Sequence, residues 1–141
     1  MKKKCFTLMA LLMFVTTGVL ANSLLKETDI EAMVLIDAHP TEEYNLAYIE
    51  GTQHFGFQSN HSGNWEKDVE IPHVSQENYR AVLGADKNKK IVIYCGFTKC
   101  GRSHNAAFWA KKLGYTNVYR VPSGISAWID AGYPYKTNLN K

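Results

Sequence analysis

Two cysteines five positions apart, Cys95 and Cys100, frame the part of the chain whose residue types can do chemistry. The segment Cys95-Gly96-Phe97-Thr98-Lys99-Cys100-Gly101-Arg102-Ser103 opens directly after the apolar run Ile91-Val92-Ile93-Tyr94. It leads into a helical pattern with Ala106, Trp109, Ala110 and Leu113 on one face and Gly114 as the stop. A cysteine at a strand end, followed by a glycine-bearing loop and a helix start, is placed to become a thiolate nucleophile. Successive loop amides curl around the sulfur, and the helix N-terminus adds partial positive charge. Arg102 and Lys99 add full charges. Together these lower the thiol pKa and create an anion site beside it. The amides of Gly96, Phe97, Thr98, Lys99, Cys100 and Gly101 are the expected cradle.

Cys100 has two readings at this stage. It resolves an oxidised or sulfur-loaded Cys95 as an internal disulfide, or it is a passive disulfide partner. The five histidines, at 39, 54, 61, 73 and 104, lack the short spacings of a zinc site, so no metal is expected, and no motif calls for a cofactor.

The elements that must position Cys95 read as alternating strands and helices. Met33 to Ile36 is a short continuous apolar run that suits a strand buried on both faces. Thr41-Glu42-Glu43-Tyr44 reads as a short helix capped by Thr41, and Gly51 to Phe55 as a short strand. Periodicity disappears from Gly56 to Val74, which predicts a long loop. Trp65 within it is expected either as a lid over the pocket or as a satellite core residue. Ser75 to Leu83 reads as a capped helix stopped at Gly84. Val118 to Val121 reads as a strand, and Gly124 to Ala131 as a helix ended by Gly132 and Pro134. Trp109 and Trp128 fall in helical patterns and are expected in the core, with His104 exposed and Asp37 capping or orienting the active loop. The predicted fold is α/β, a single domain with a small parallel sheet flanked by helices on both faces. In such sheets ligands collect beyond the carboxyl ends of the strands, where Cys95 stands.

At the N-terminus, Lys2-Lys3-Lys4 precede an apolar run from Cys5 to Leu20 that ends in Ala21. This pattern predicts a secretory signal peptide over residues 1–21, a domain over 22–141, and a periplasmic or secreted protein with no membrane association after cleavage. Without those three lysines the chain holds thirteen bases against thirteen acids. Balanced charge gives no reason to expect nucleic acid as a partner. The oligomeric state is not legible.

Over nearly all of this mature chain the sequence resembles the rhodanese-like sulfurtransferase superfamily. The resemblance is carried by Val34-Leu35-Ile36-Asp37 with Glu42-Glu43-Tyr44, by Ile49-Glu50-Gly51-Thr52, and by Val92-Ile93-Tyr94-Cys95. It continues through Arg102-Ser103, Ala106-Ala107, Leu113-Gly114-Tyr115, Asn117-Val118-Tyr119, Gly124 to Trp128 and Gly132-Tyr133-Pro134. The order and spacing of these pieces make the match. It implies that Cys95 takes a sulfane sulfur from thiosulfate or a polysulfide or persulfide donor, becomes a persulfide, and passes the sulfur to a thiol or cyanide. Arg102 would then bind the donor's oxyanion. The expected partners are thus a small sulfur-containing anion and a thiol or persulfide. The loop Gly96 to Gly101 is longer than the usual sulfurtransferase loop and than that of the family's phosphatase relatives. Two other functions fit the residues: a thiol–disulfide redox protein using Cys95 and Cys100, and a catalytically silent binding module of the same fold.

Overall fold

The computed structural model describes residues 33–71 and 75–139. The expected signal segment, residues 1–21, lies outside the described residues. Four strands form one parallel sheet: β1 (Val34–Asp37), β2 (Gln53–His54), β3 (Ile91–Tyr94) and β4 (Val118–Val121), in the order β2-β1-β3-β4. Five helices accompany them among the described residues: α1 (Thr41–Leu46), α2 (Trp65–Asp68), α3 (Gln76–Leu83), α4 (Arg102–Lys112) and α5 (Gly124–Asp130). The α/β reading with helices on both faces of a parallel sheet is what the structure shows.

Period-two alternation divides the core into two layers. On one face Ile36, Ile91, Ile93 and Cys95 meet Ala106, Trp109 and Ala110 of α4, Tyr79 and Leu83 of α3, and the rings of Phe55, Phe57 and Trp65. On the other, Leu35, Val92 and Tyr94 pack with Met33, Ile49, Ile125 and Trp128. Cys95 therefore continues the α4 face of β3. Register carries this face onto the edge strand, where Ile93 pairs with Arg120 and Ile91 with Val118.

Two expectations change, and one left open is decided. Thr41 is not a cap: it is the first residue of α1, and its amide and hydroxyl bond the Glu70 carboxylate at 2.9–3.1 Å. Pro40 takes the cap position because its fixed φ leads into the first turn without a side-chain acceptor. The long loop is more structured than its lack of periodicity implies. It contains α2, and an antiparallel bridge joins Phe57 to Val69. Trp65 is a core residue, not a lid: it is 7% exposed and meets Phe55 and Tyr79 in tilted and Phe57 and Trp109 in edge-on ring contacts. Trp109 and Trp128 are core residues as expected.

The loop is held by long-range polar contacts. The fully buried Asp68 carboxylate accepts from the Ser62 amide (2.7 Å) and hydroxyl (2.6 Å), the Gly63 amide (3.1 Å) and the Trp109 indole (3.0 Å). Burial works to raise this carboxyl. The donors from Ser62, Trp109 and Gly63 outweigh it and leave the group below its ordinary value. Asn105, buried on α4, donates to the carbonyls of Gln58, Asn60 and Asp68. The segment 56–70 is thereby fixed as one wall beside the loop that follows β3.

Candidate functional site

Cys95 is placed by β3, whose four residues are all buried and whose neighbours β1 and β4 fix it on both sides. Beyond it the chain turns sharply. The turn is set by α5, whose Ile125 and Ser126 amides donate to the Cys95 and Gly96 carbonyls at 2.8 and 3.0 Å. Gly124 makes this approach possible. It has φ +63°, and a Cβ there would run into the carbonyls of Cys95 and Gly96. With those carbonyls turned toward α5, the amides of Phe97, Thr98, Lys99 and Gly101 meet no acceptor among the described residues. The Cys100 amide closes a turn onto the Phe97 carbonyl at 3.0 Å. Gly101 is pinned from the opposite side, since any side chain there would strike the Ser59 carbonyl of the long loop.

Cys95 and Cys100 are joined as a disulfide, with Cα atoms 6.5 Å apart. Of the two alternatives left open for Cys100, either is compatible with this bond. Sulfur Sγ of Cys95 stands 3.4 Å from the Ser103 hydroxyl and 3.6 Å from the Cys100 carbonyl oxygen. Phe97, Thr98 and Lys99, between the cysteines, are exposed, and Phe97 is 58% accessible.

Arg102 is the first residue of α4, and its guanidinium makes its polar contacts away from the sulfur. It donates to the Phe57 carbonyl at 3.1 Å and lies 3.8 Å from Glu43. It also lines a cleft of about 450 Å³ with Gln58, Ser59, Asn60, Ser62 and Lys67. One N–H is spent on Phe57, and a guanidinium has five, so donors remain for an anion in that cleft. Lys67 adds a second cation there, which the sequence did not single out.

Asp37 makes no hydrogen bond to the active loop among the described residues, and reaches it only through His39. Its Oδ1 accepts the His39 amide at 2.9 Å and approaches the His39 ring nitrogen Nδ1 at 2.8 Å. The other His39 nitrogen stands 3.5 Å from Glu43, and the ring lies against Gly96. A line of ionisable groups thus runs from Asp37 through His39 and Glu43 to Arg102, next to the first residue of the loop. Tyr94 is buried next to it. Burial first, and then the Asp37 charge, hold its phenol protonated, and it accepts the Ile49 amide at 3.0 Å.

Sequence reasoning missed Ser103 and Arg120 as functional candidates. Ser103 is buried at the start of α4, and Arg120 reaches it from β4 with Nε and Nη2, each 3.2 Å from its hydroxyl oxygen. The available signal was an arginine in an otherwise apolar-facing alternation, Val118-Tyr119-Arg120-Val121. It becomes readable only once the register with β3 is known.

The structure resembles solved proteins of one fold. It superposes on the BH2092 protein of Bacillus halodurans with a TM-score of 0.60 at 19% identity, covering 80% of this chain and 69% of that one. A rhodanese-related protein of Thermoplasma volcanium gives 0.53 at 22% identity, covering 77% and 88%. An E. coli rhodanese solved with anions gives 0.50 at 23%, covering 75% and 99%. In sequence, tRNA uridine(34) hydroxylases match at 28% identity over 109 residues in Erwinia tasmaniensis and 29% over 101 residues in Sodalis glossinidius. The matched parts are 72% and 63% of this chain but only 27% and 26% of those enzymes, about a quarter of their length. The family model for the rhodanese-like domain matches residues 20–131. With the parallel sheet, the strand-end cysteine and the loop that follows it, the match establishes that this chain belongs to the rhodanese-like domain family.

Proposed function

We propose that the reduced protein is a sulfurtransferase in which Cys95 carries the sulfur. The observation that carries this reading is the position of Cys95 at the end of β3, with the carbonyls of Cys95 and Gly96 held by α5, which turns the Gly96 and Phe97 amides away from that helix. In the first step the Cys95 thiolate attacks the outer sulfur of thiosulfate. A sulfur–sulfur bond forms to Cys95, the bond to the sulfonate sulfur breaks, and sulfite leaves with the electron pair. Cys95 is then a persulfide. In the second step a thiolate or cyanide attacks the terminal sulfur, and the Cys95 thiolate departs. Loop amides stabilise the anions in both steps. Arg102, the first residue of α4 after the loop, is the cation we assign to the charged end of the donor, since only one of its five N–H groups is held by a protein carbonyl.

The Cys95–Cys100 disulfide supports a second role for the same pair. Cys100 attacks Sγ of the persulfide, the Cys95–Cys100 bond forms, and the terminal sulfur leaves as hydrosulfide. A reductant must then open the disulfide before the next turnover. A redox protein built on this pair alone would skip the persulfide. The lysine-led apolar N-terminus supports an exported protein, periplasmic or secreted. Small sulfur anions and thiols are the proposed partners.

Thiosulfate-to-cyanide transfer by reduced Cys95→Ser tests the assignment. Loss of transfer with an unchanged melting curve is expected, because serine has no base to activate it here. Transfer at the wild-type rate would remove Cys95 as the sulfur carrier.

A further inference from the structure

We propose that Arg120 is a positioning residue that aims the Ser103 hydroxyl at the Cys95 sulfur and thereby favours the thiolate. The inference deepens the sulfurtransferase reading and rests on it for its purpose, although the geometry stands independently.

Donor counting carries the case. A serine hydroxyl has one proton to give and two lone pairs to receive. Both lone-pair positions on Ser103 Oγ are used by one guanidinium, through Nε and Nη2 of Arg120 at 3.2 Å each. A guanidinium accepts nothing, so the hydroxyl proton cannot point back at Arg120. Cys95 Sγ lies 3.4 Å away and, in the disulfide seen here, has no proton of its own to donate. The proton of Ser103 therefore points at sulfur. Ser103 is 1% exposed, so water does not compete for that proton.

Arg120 is well suited to this work. It makes no ion pair with a carboxylate among the described residues. A charged donor pair on a hydroxyl oxygen polarises the O–H and strengthens what that hydroxyl donates. The placement follows from the sheet. Arg120 pairs with Ile93 on β3, two residues before Cys95 and on the same face. Ser103 comes from the first turn of α4, between the two.

The other ionisable groups around the sulfur are engaged elsewhere. His39 lies against Gly96 with its ring nitrogens near Asp37 and Glu43, and the buried Tyr94 phenol meets Ile49 and Thr52. Arg102 is turned to Phe57 and Glu43, and Lys99 is exposed. None is joined to Cys95 Sγ by a hydrogen bond among the described residues. Arg120 is the cation linked to it, through one hydroxyl.

The test measures Cys95 alkylation by iodoacetamide against pH in the reduced full chain, read by peptide mass so that Cys100 is followed separately. Wild type, Ser103→Ala, Arg120→Met, Ser103→Ala/Arg120→Met and Ser103→Thr are compared. A hydrogen bond to a charged sulfur implies an upward move of about one pKa unit in either single variant, a tenfold fall in thiolate fraction below the pKa. The double variant should move no further than the singles, and Ser103→Thr should follow wild type. An unmoved profile in Arg120→Met would overturn the proposal. So would additive shifts in the double variant, which would mean that Arg120 acts on sulfur by charge alone. Arg120 sits half-exposed on an edge strand, so its methionine variant keeps the aliphatic packing, and melting curves verify this. No sulfur donor enters the measurement. Failure of sulfur transfer would thus leave the alkylation result standing, and failure of the relay would leave sulfur transfer standing.

Discussion

The backbone amide of Ile125 donates to the carbonyl oxygen of Cys95 at 2.8 Å, tying the first turn of α5 to the cysteine at the end of β3. The contact sets the direction of the loop, because a carbonyl turned toward α5 leaves the next amides facing the other side. It also depends on Gly124, whose missing side chain lets the two backbones meet.

Gly124→Ala should accordingly damage the site more than the fold. The strained φ alone costs about 1–3 kcal/mol, and the clash with the Cys95 and Gly96 carbonyls adds to it. Thermal unfolding should report a fall of that order, with sulfur transfer lost by at least about tenfold in the protein that remains folded. A variant with wild-type transfer rates would show that the Gly124 approach does not set the loop.

The sheet, the helices on both faces and the strand-end cysteine were legible because each is written in local apolar patterning: Ile91 to Tyr94 and Val118 to Val121 have the bounds observed. What was hidden depends on residues far apart in sequence. Asp68 organises the long loop through Trp109, forty-one positions away, and Asn105 holds the Gln58 carbonyl across forty-seven. No periodicity announces such contacts. The same holds for Arg120 and Ser103, which meet only because β4 pairs with β3 and α4 starts above both. Arg102 was singled out by its place after the loop, but its direction toward Phe57 and Glu43 depends on the folded wall of the cleft.

Cys100→Ser should make sulfur transfer independent of prior reduction. The wild-type protein, isolated with Cys95 held by Cys100, should transfer sulfur only after reduction, whereas the serine variant should be active at once. If Cys100 also resolves the persulfide, the variant should accumulate it, because the neighbouring thiolate that attacks at high effective concentration is gone. Sulfur-transfer rates with and without prior reduction check the first point, and persulfide decay checks the second. Equal behaviour of the two proteins in both assays would take Cys100 out of the chemistry.

Arg102→Ala should weaken use of anionic donors selectively. Removing a charge-assisted contact costs about 1.5–3 kcal/mol, roughly ten- to hundredfold in kcat/KM for thiosulfate. An uncharged persulfide donor should lose much less. Equal losses for both donors would assign Arg102 to support of the Phe57 carbonyl and the loop wall.

Asp68→Asn should destabilise the protein by about 2–4 kcal/mol near neutrality, since the donors from Ser62, Gly63 and the buried Trp109 lose a charged acceptor that is itself fully buried. The folded carboxyl lies below its ordinary value, so its contribution is complete above the unfolded value near about 4 and disappears as pH falls through the folded one. The stability gap between wild type and variant should therefore persist above about pH 5 and narrow below about pH 4. Denaturant unfolding across that range provides the check. A gap that stays constant into the acid would mean that the carboxylate charge is not what holds the loop.

The most direct measurement of the sulfur-carrier role is intact-mass analysis of the reduced protein after brief exposure to thiosulfate, with the modified peptide then located. Sulfur transfer through Cys95 predicts the gain of one sulfur atom on the peptide that contains Cys95, released when cyanide is added. A reduced protein that gains no sulfur, and only loses two hydrogens as Cys95 and Cys100 reconnect, would contradict it.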